Sequence, residues 1–329
     1  MTNKLNVYLE SEIKDFYFDS LSSSYLESNG LEFLKGVELP FKSSDLIAFK
    51  EGGLNITSLA DNMCRILGAN PQFKFAGAYI KFLAKFFNES LVGVLCSKGR
   101  DELMEHHYRP ACIYFRAACT LVPDNRDALF GYASVCREWY LSLEGDDYEQ
   151  LVADLKPEVS DSLEKLMQLY PDFAPTYYYL GYAYINMGLY TKAAIVWRRF
   201  IDCADPDQFE KEIDEIGERL KELEEPVIIE GGVNKLLAGH YEEALRILEP
   251  FVDSKFGSWW PLHAYLAEAY TNLGHYPEAI EGYKRVLQLS PSNIEAAQSL
   301  ADLFSALGDT ESAEKYSRKV EIFQKNLSE

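Results

Sequence analysis

Residues 260–293 read WPLHAYLAEAYTNLGHYPEAIEGYKRVLQLSPSN, and this stretch of 34 residues decides the fold of the chain. Its regularly spaced residue types are Leu266, Ala267, Tyr270, Gly274 and Ala279. The same spacing returns 34 residues further along the chain, in Leu300, Ala301, Phe304, Gly308 and Ala313. It also occurs upstream, in Leu180, Gly181, Tyr184, Gly188 and Ala193. Self-similarity at such a period indicates a repeat protein.

Each repeat is predicted to be a helix–turn–helix unit. In the first helix, Leu180, Gly181 and Tyr184 follow Tyr177 at steps of 3, 1 and 3, which places them on one helical face. The small residue at Gly181 lets the paired helix approach closely. A left-handed glycine is expected to end each first helix. These glycines are Gly188, Gly239, Gly274 and Gly308.

The pattern resembles that of the tetratricopeptide repeat (TPR) family. The residues that carry the resemblance are Leu180, Gly181, Tyr184, Gly188, Ala193, Trp197 and Pro206, and again Leu266, Ala267, Tyr270, Gly274, Ala279, Tyr283 and Pro291. It covers roughly residues 72–327. The resemblance implies an all-α protein, a right-handed α-α superhelix of TPR-like solenoid type, with an irregular N-terminal segment.

The domain boundaries follow from this phasing. Residues 1–55 are predicted to form an irregular N-terminal segment or cap, and residues 56–327 a TPR-like helical array. The predicted parts of the array are units at about 74–123, 126–171 and 174–207, an extra helix at 208–225, and units at 226–259, 260–293 and 294–327.

The two earliest units require insertions. For the first, we expect Phe75–Phe87 to pair with a helix around residues 110–118, which makes residues 88–104 an insertion. For the second, we expect Asp127–Leu141 to pair with Ser160–Leu169 across a loop region at Gly145.

The extra helix carries one apolar stripe, from Phe209 to Leu223, and is otherwise strongly acidic. Pro226 is expected to end it and to start the next element. The acidic face has two interpretations, a solvated surface on a helix that packs on one side, or a docking surface for a basic partner.

The charge of the chain is distributed unevenly. The formal net charge is -20, yet residues 1–100 contain 11 acidic and 11 basic residues, so residues 101–329 carry the whole excess. Phosphate contacts need a basic face, so nucleic-acid binding is excluded, and so is stable association with anionic lipid. The partner is expected to be a protein or peptide, neutral to basic, with apolar side chains.

The cysteines and the apolar stretches bear on location. None of the six cysteines forms a C-x-x-C pair, and the first residues do not resemble a secretory signal. We therefore expect reduced thiols in a cytoplasmic protein. The most apolar stretch, Phe75 to Cys96, is interrupted by Lys81, Lys85 and Glu89, so we expect no membrane association through a spanning helix.

No catalytic motif is present, and we predict no enzyme activity, no metal and no cofactor. The phosphate-binding, nucleophile-elbow and zinc-protease patterns are all missing. One cluster remains, in which Glu102 and His106 stand four residues apart beside His107. An alternative hypothesis is therefore an enzyme or metal-binding protein with its site in residues 1–110 and the repeats as a substrate-holding extension.

The binding residues are implied by the resemblance, because TPR arrays bind an extended peptide or a partner's helix in the concave groove lined by their first helices. The matching positions are Tyr178, Tyr182, Ile185 and Asn186, with Phe130 and Arg137 in the preceding unit and Glu268 and Asn272 in a later one. The alternative for Tyr178 and Tyr182 is burial against an insertion or the N-terminal segment. Trp259 and Trp260 are a second candidate, interpreted as wedges between repeats.

One well-known TPR function is disfavoured. The clamp for acidic C-terminal peptides of chaperones uses Asn, Lys and Arg in the groove. This chain has Tyr178, Tyr182, Ala264, Glu268 and Asp302 at the matching positions. Neither the residue types nor the charge suit an acidic tail, so we do not expect a chaperone tail as the partner.

Overall fold

The computed structural model describes residues 3–43, 45, 54–87 and 90–328, with side chains up to residue 325. The chain divides into two compact units. The first unit consists of residues 1–188 and 195–216, and the second of residues 189–194 and 217–329. The predicted helical class is confirmed.

The described residues of the N-terminal segment include the short helices α1 (Asn6–Leu9) and α2 (Ser23–Ser28) and a small antiparallel sheet. Strand β1 (Tyr17–Asp19) pairs with β2 (Leu39–Phe41), and Phe18 lies opposite Pro40. All three residues of β2 are buried, whereas those of β1 are exposed. The segment predicted to be irregular thus contains a sheet, and its residues 1–2, 44 and 46–53 lie outside the described residues.

This segment is attached to the first helices of the array, α3 (Ile56–Ala69) and α4 (Ala76–Phe86). Asn62 Nδ2 donates to the carbonyl of Pro40 at 3.1 Å, and the Tyr79 hydroxyl donates to the carbonyl of Glu38 at 2.6 Å. Buried side-chain donors thus satisfy carbonyl groups of an otherwise irregular chain, as buried polar groups require.

The first helical pairing differs from the prediction. Residues 90–104 form a helix, α5 (Ser90–Met104), which packs against α6 (Tyr108–Leu121), as does α3. The expectation that 88–104 is an insertion and that Phe75–Phe87 is the partner of α6 was wrong. The reason is the close approach at Gly99, where an added Cβ would lie 2.8 Å from Cε2 of Phe115.

The second pairing is confirmed, between α7 (Arg126–Leu141) and α8 (Glu149–Leu169). Helix α8 begins well before the predicted Ser160 and continues through Pro157. A proline inside a helix removes one backbone donor. The helix nevertheless continues, because it buries apolar side chains both before and after Pro157, among them Leu151, Leu155, Val159 and Leu163.

The next hairpin consists of α9 (Ala174–Asn186) and α10 (Tyr190–Cys203). Gly188 between them has a φ of 71°, as predicted for a left-handed residue that ends the first helix. Trp197 of α10 is 1% exposed and lies against Gly181, where an added Cβ would be 2.0 Å from its Nε1.

Helix α11 (Pro206–Glu222) is the predicted extra helix. Its backbone departs from helical geometry at Phe209, with φ -123° and ψ 27°. Pro226 does not end this helix. A new helix, α12 (Glu224–Leu237), has already begun, and Pro226 lies in its first turn, where the missing backbone N–H costs no hydrogen bond.

Among the residues that the structure describes in it, the second unit consists of helices joined by turns and contains no strand. Its other helices are α13 (Tyr241–Leu248), α14 (Trp260–Asn272), α15 (Tyr276–Leu289), α16 (Ile294–Ala306) and α17 (Thr310–Ser328). Gly239, Gly274 and Gly308 have φ values of 80°, 77° and 78°, as predicted. Ala244 and Ala279 are completely buried at the close contacts of their hairpins.

Candidate functional site

A continuous aromatic surface lies in the first unit on the first helices of two successive hairpins, α7 and α9, and on the residue directly before α9. We define the aromatic surface as Phe130, Phe173, Tyr178, Tyr179 and Tyr182, all of which are half-buried. The ring centroids of Phe130 and Tyr179 are 5.6 Å apart, and those of Tyr178 and Tyr182 are 5.2 Å apart. Such tilted and edge-to-face pairs are the favoured geometries for aromatic side chains.

Two arginines stack on this surface. The guanidinium of Arg126 lies 5.0 Å from the ring centroid of Phe173, and that of Arg137 lies 5.4 Å from the ring of Tyr179. Arg137 also forms an ion pair with Glu138, with Nη1 and Oε1 2.6 Å apart. Arg126 likewise forms an ion pair with Asp127, with Nε and Oδ1 3.0 Å apart. The arginines therefore add planar area to the rings, while each positive charge is paired with a neighbouring carboxylate.

Buried side chains of α10 pack against the tyrosine rings of the aromatic surface. The ring of Tyr182 lies edge-to-face on Trp197 with centroids 5.0 Å apart, and the ring of Tyr178 lies 5.4 Å from that of Phe200. Trp197 Nε1 donates to the carbonyl of Tyr178 at 3.1 Å. Both Trp197 and Phe200 are buried, so the two tyrosines rest on a rigid base.

Both predicted tyrosines contact one carboxylate of α11. The Tyr178 hydroxyl donates to Glu215 Oε2 at 3.0 Å, and the Tyr182 hydroxyl donates to Glu215 Oε1. Burial, and then the hydrogen bond to Glu215, raise the pKa of Tyr178 above its ordinary value. The phenol therefore remains a neutral hydrogen-bond donor at physiological pH.

The other predicted groove residues are distributed over both units. Ile185 is half-buried on α9, and Asn186 is exposed and donates to the Tyr140 hydroxyl at 3.2 Å. Glu268 and Asn272 are exposed on α14 of the second unit, where Asn272 Nδ2 donates to the carbonyl of Glu268 at 2.9 Å. The structure thus brings Phe130, Arg137, Tyr178 and Tyr182 into one surface, and places Glu268 and Asn272 in the other unit.

Four residues of this region were not predicted from the sequence, and one of them is Arg126, which stacks on Phe173. Tyr179 and Phe173 complete the ring contacts, and Glu215 accepts both tyrosine hydroxyls. The run of three tyrosines from Tyr177 was the available signal for Tyr179, since one turn of helix cannot bury all three. No local signal identifies Glu215, because it is 37 residues away from Tyr178.

The tryptophan pair in the second unit does not behave as predicted. Trp259 is 40% exposed and Trp260 is 36% exposed, so neither is a buried wedge. Trp259 lies edge-to-face against Phe256 and Tyr265, with centroids 6.5 and 6.2 Å apart. The segment between α13 and α14 is not a tight turn but an irregular stretch with two short 3-10 turns. This stretch places the two tryptophans at the surface.

The possible catalytic cluster has a different geometry from the predicted one. Helix α5 ends at Met104, and His106 has a φ of 59°, so Glu102 and His106 do not share a helical face. His107 contacts Glu102 instead, with Nδ1 and Oε2 2.9 Å apart. Among the described residues, no three His, Cys, Asp or Glu side chains converge as metal ligands would. Within those residues, too, no helix is both long and apolar enough to cross a bilayer.

The cysteine thiols are expected to be unreactive in the native protein. All six are free, and five are buried while Cys203 is half-buried. Burial raises the pKa of the Cys64 and Cys119 thiols to about 12 and that of Cys96 to about 11. At about pH 8 a thiol of pKa 12 is only about one part in ten thousand thiolate, the reactive form.

We therefore expect Ellman's reagent to label less than one thiol per chain rapidly in buffer, and all six in guanidinium chloride. Cys203→Ser is the control, because it should remove the small native signal and leave the buried thiols unchanged. Rapid labelling of several thiols in the native state would show that the helical packing around them is wrong.

Comparisons with known proteins agree with the hairpin geometry. Two family models, both described as tetratricopeptide repeat, match residues 260–293 and 176–202. No curated protein sequence matches the chain. The matched residues coincide with the hairpins α14–α15 and α9–α10.

Similar solved structures include the TPR domain of P58(IPK), with 21% identity, coverage of 70% of this chain and 59% of that one, and a TM-score of 0.38. MamA from Desulfovibrio magneticus RS-1 has 20% identity, coverage of 59% and 96%, and a TM-score of 0.34. PilW, a type IV pilus biogenesis factor, has 14% identity, coverage of 72% and 94%, and a TM-score of 0.35. At these values the three structures carry no argument about activity or partner. The repeat matches, together with the helical hairpins and their left-handed glycines, show that residues 176–202 and 260–293 are tetratricopeptide repeats.

Proposed function

We propose that this chain is a non-catalytic protein-interaction scaffold or adaptor that binds a protein or peptide on the aromatic surface of the first unit. The observation that supports this most directly is the set of five half-buried rings, contributed by two successive hairpins and stacked with Arg126 and Arg137. Tyrosine and arginine are among the residue types that dominate binding energy at protein interfaces, and phenylalanine is enriched there.

The expected partner presents apolar side chains and is neutral to basic overall. Apolar groups would cover the rings, which offer large area at low conformational-entropy cost. The net charge of -20 disfavours an acidic partner through long-range repulsion. It also argues against nucleic acid, anionic membrane and the acidic tails of chaperones. Six free thiols support a reducing, cytoplasmic location.

The test is a binding comparison between two double variants. A partner is first captured from native lysate with the wild-type chain, and its affinity is then measured for Tyr178→Ala/Tyr182→Ala. We expect at least about tenfold weaker binding, since truncated interface tyrosines commonly cost 1 kcal/mol or more each.

The matched control is Tyr17→Ala/Tyr148→Ala, which removes two exposed tyrosines of the same unit outside the aromatic surface. It should bind the captured partner as the wild type does. Undiminished binding by a Tyr178→Ala/Tyr182→Ala variant with a native circular-dichroism spectrum would refute this location of the site.

A further inference from the structure

Helix α11 already lies on part of the aromatic surface. Its Glu215 accepts the hydroxyls of Tyr178 and Tyr182 through its two carboxylate oxygens. Its Phe209 lies edge-to-face against Phe200, the ring that supports Tyr178, with centroids 6.0 Å apart. Phe209 and the completely buried Ile216 are seven residues apart, about two helical turns, and Glu215 directly precedes Ile216.

This helix is held by few contacts. Within Pro206–Glu222, all of which the structure describes, Ile216 is the only fully buried residue. The backbone leaves helical geometry at Phe209, and Gly217 in the interior lowers the helix propensity relative to alanine. The regular part of the helix beyond Phe209 comprises residues 210–222, and an isolated helix of that length is marginal in water. The free energy that keeps α11 on the surface is therefore small.

The two tyrosine hydroxyls define the chemistry of the contact. Two phenolic O–H groups on adjacent turns of α9 converge on one carboxylate, whose two oxygens accept one bond each. Hydrogen bonds to a charged acceptor are about twice as strong as those between neutral groups. A lysine or arginine at the same place offers no acceptor. Although a phenolic oxygen can also accept a hydrogen bond, the convergence of two O–H donors favours a carboxylate at this point.

Resting on the proposed function, we propose that the aromatic surface is a receptor for an amphipathic helix that carries an aromatic residue and, about two turns later, a glutamate followed by an aliphatic residue. Helix α11 is the intramolecular occupant of this receptor, and the partner's helix displaces it. The contacting side of the partner copies that of α11, while its outward side is neutral or basic, as the acidic chain favours.

Displacement has a quantitative consequence. A tethered segment competes at an effective concentration in the millimolar range, so an external helix binds the native chain weakly. When the tethered helix is weakened, the receptor is open for a larger fraction of the time. The apparent affinity for the external helix then rises by the same factor.

The probe is a fluorescein-labelled synthetic peptide of residues 205–223, DPDQFEKEIDEIGERLKEL, added in trans to the full-length chain. We expect the opened receptor Glu215→Ala/Ile216→Ala to bind it at least about tenfold more tightly than the wild type, by fluorescence anisotropy. Glu210→Ala is the matched control, because it removes an exposed carboxylate of the same helix, and it should bind like the wild type. The single variant Glu215→Gln, which leaves Ile216 in place, should give a smaller gain in the same direction.

Two further arms test the chemistry. In the opened receptor, a Glu215→Gln peptide should bind several-fold more weakly than the native peptide. That difference should vanish when the receptor also carries Tyr178→Phe/Tyr182→Phe, which keeps both rings and removes only the hydroxyls. A folded opened receptor that binds the peptide no better than the wild type would overturn the proposal, as would persistence of the difference without the hydroxyls.

Failure of this proposal can be told apart from failure of the proposed function. A captured partner that loses affinity for Tyr178→Ala/Tyr182→Ala, yet gains none for Glu215→Ala/Ile216→Ala, refutes displacement and leaves the interaction surface in place. A partner whose affinity is the same for both variants and for the wild type refutes the aromatic surface as the binding site. It then also refutes the proposed receptor for an amphipathic helix.

Discussion

Replacement of Arg116 by alanine is expected to lower the free energy of unfolding of the first unit by about 3–5 kcal/mol. Arg116 is completely buried on α6, where Nη2 donates to Asn6 Oδ1 at 2.8 Å and Nη1 donates to the carbonyl of Ala69 at 3.3 Å. One side chain thus joins the N-terminal segment to α3 and α6. Alanine would leave a cavity, and it would leave the buried carbonyl of Ala69 and the half-buried Asn6 Oδ1 without this donor.

The charge of Arg116 acts on its neighbours as well. Burial raises the pKa of Tyr132, and the guanidinium of Arg116 opposes that rise. The Tyr132 hydroxyl donates to Oε2 of Glu158 at 2.9 Å, and Glu158 is also completely buried. Loss of the guanidinium would therefore leave a buried carboxylate with less positive charge nearby, which adds to the destabilisation.

The measurement is urea unfolding followed by far-ultraviolet circular dichroism. Arg116→Lys should recover only part of the loss, since one ammonium cannot reproduce the fork of the guanidinium. Arg100→Ala removes an exposed arginine from α5 and should change stability by no more than about 0.5 kcal/mol. A loss below about 1 kcal/mol for Arg116→Ala would contradict the role of this residue in joining the three elements.

The second large effect is expected at Gly181. A Cβ there would lie 2.0 Å from Nε1 and 2.3 Å from Cδ1 of Trp197. The indole is buried and bonded to the carbonyl of Tyr178, so it has no open space to move into. Gly181→Ala should therefore destabilise the first unit by about 1–3 kcal/mol, the usual cost of overpacking a core, and Gly181→Leu by more.

A glycine in a different environment provides a control of opposite sign. Gly93 lies in helix α5, and an added Cβ would meet nothing within 4 Å. Gly93→Ala should stabilise the chain by about 0.5–1 kcal/mol through helix propensity. Scanning calorimetry should show the unfolding temperature falling for Gly181→Ala and rising for Gly93→Ala. An unchanged temperature for Gly181→Ala would contradict the close packing of α9 on α10.

The repeat phasing predicted much of the fold because it depends on local residue types. Gly188, Gly239, Gly274 and Gly308 all adopt positive φ where the pattern placed the ends of first helices. Helix α5 was not predicted because the last residue of its buried face is Gly99, where α9 has the aromatic Tyr184. Its Val92, Leu95, Cys96 and Gly99 are nevertheless buried at the same steps of 3, 1 and 3 as in α9.

The N-terminal sheet could not be predicted for a different reason. Strands of three residues are too short to show alternation, and only their pairing across the chain makes them recognisable. The burial of Arg116 could not be predicted either, because an arginine on an apolar helix is normally interpreted as a solvent-facing residue. Its acceptors are supplied by Asn6 and Ala69, far away in sequence.

The candidate site was predicted only in part. Tyr178 and Tyr182 were identified by their place in the repeat, since the resemblance assigns those positions to the groove. The carboxylate that contacts them comes from the inserted helix, and no repeat position encodes it. Whether the groove residues are open or covered therefore depends on tertiary contacts that the repeat pattern does not encode.

The most direct test of the interaction surface is hydrogen–deuterium exchange of the full-length chain with and without its captured partner. Amide protection should increase in α7 and α9, within residues 126–137 and 174–186, where the aromatic surface lies. At the same time, exchange should become faster in α11, within residues 209–222, as its helix is displaced. Protection confined to the second unit or to residues 3–43, with α7 and α9 unchanged, would contradict the proposal that this chain binds its partner through the aromatic surface.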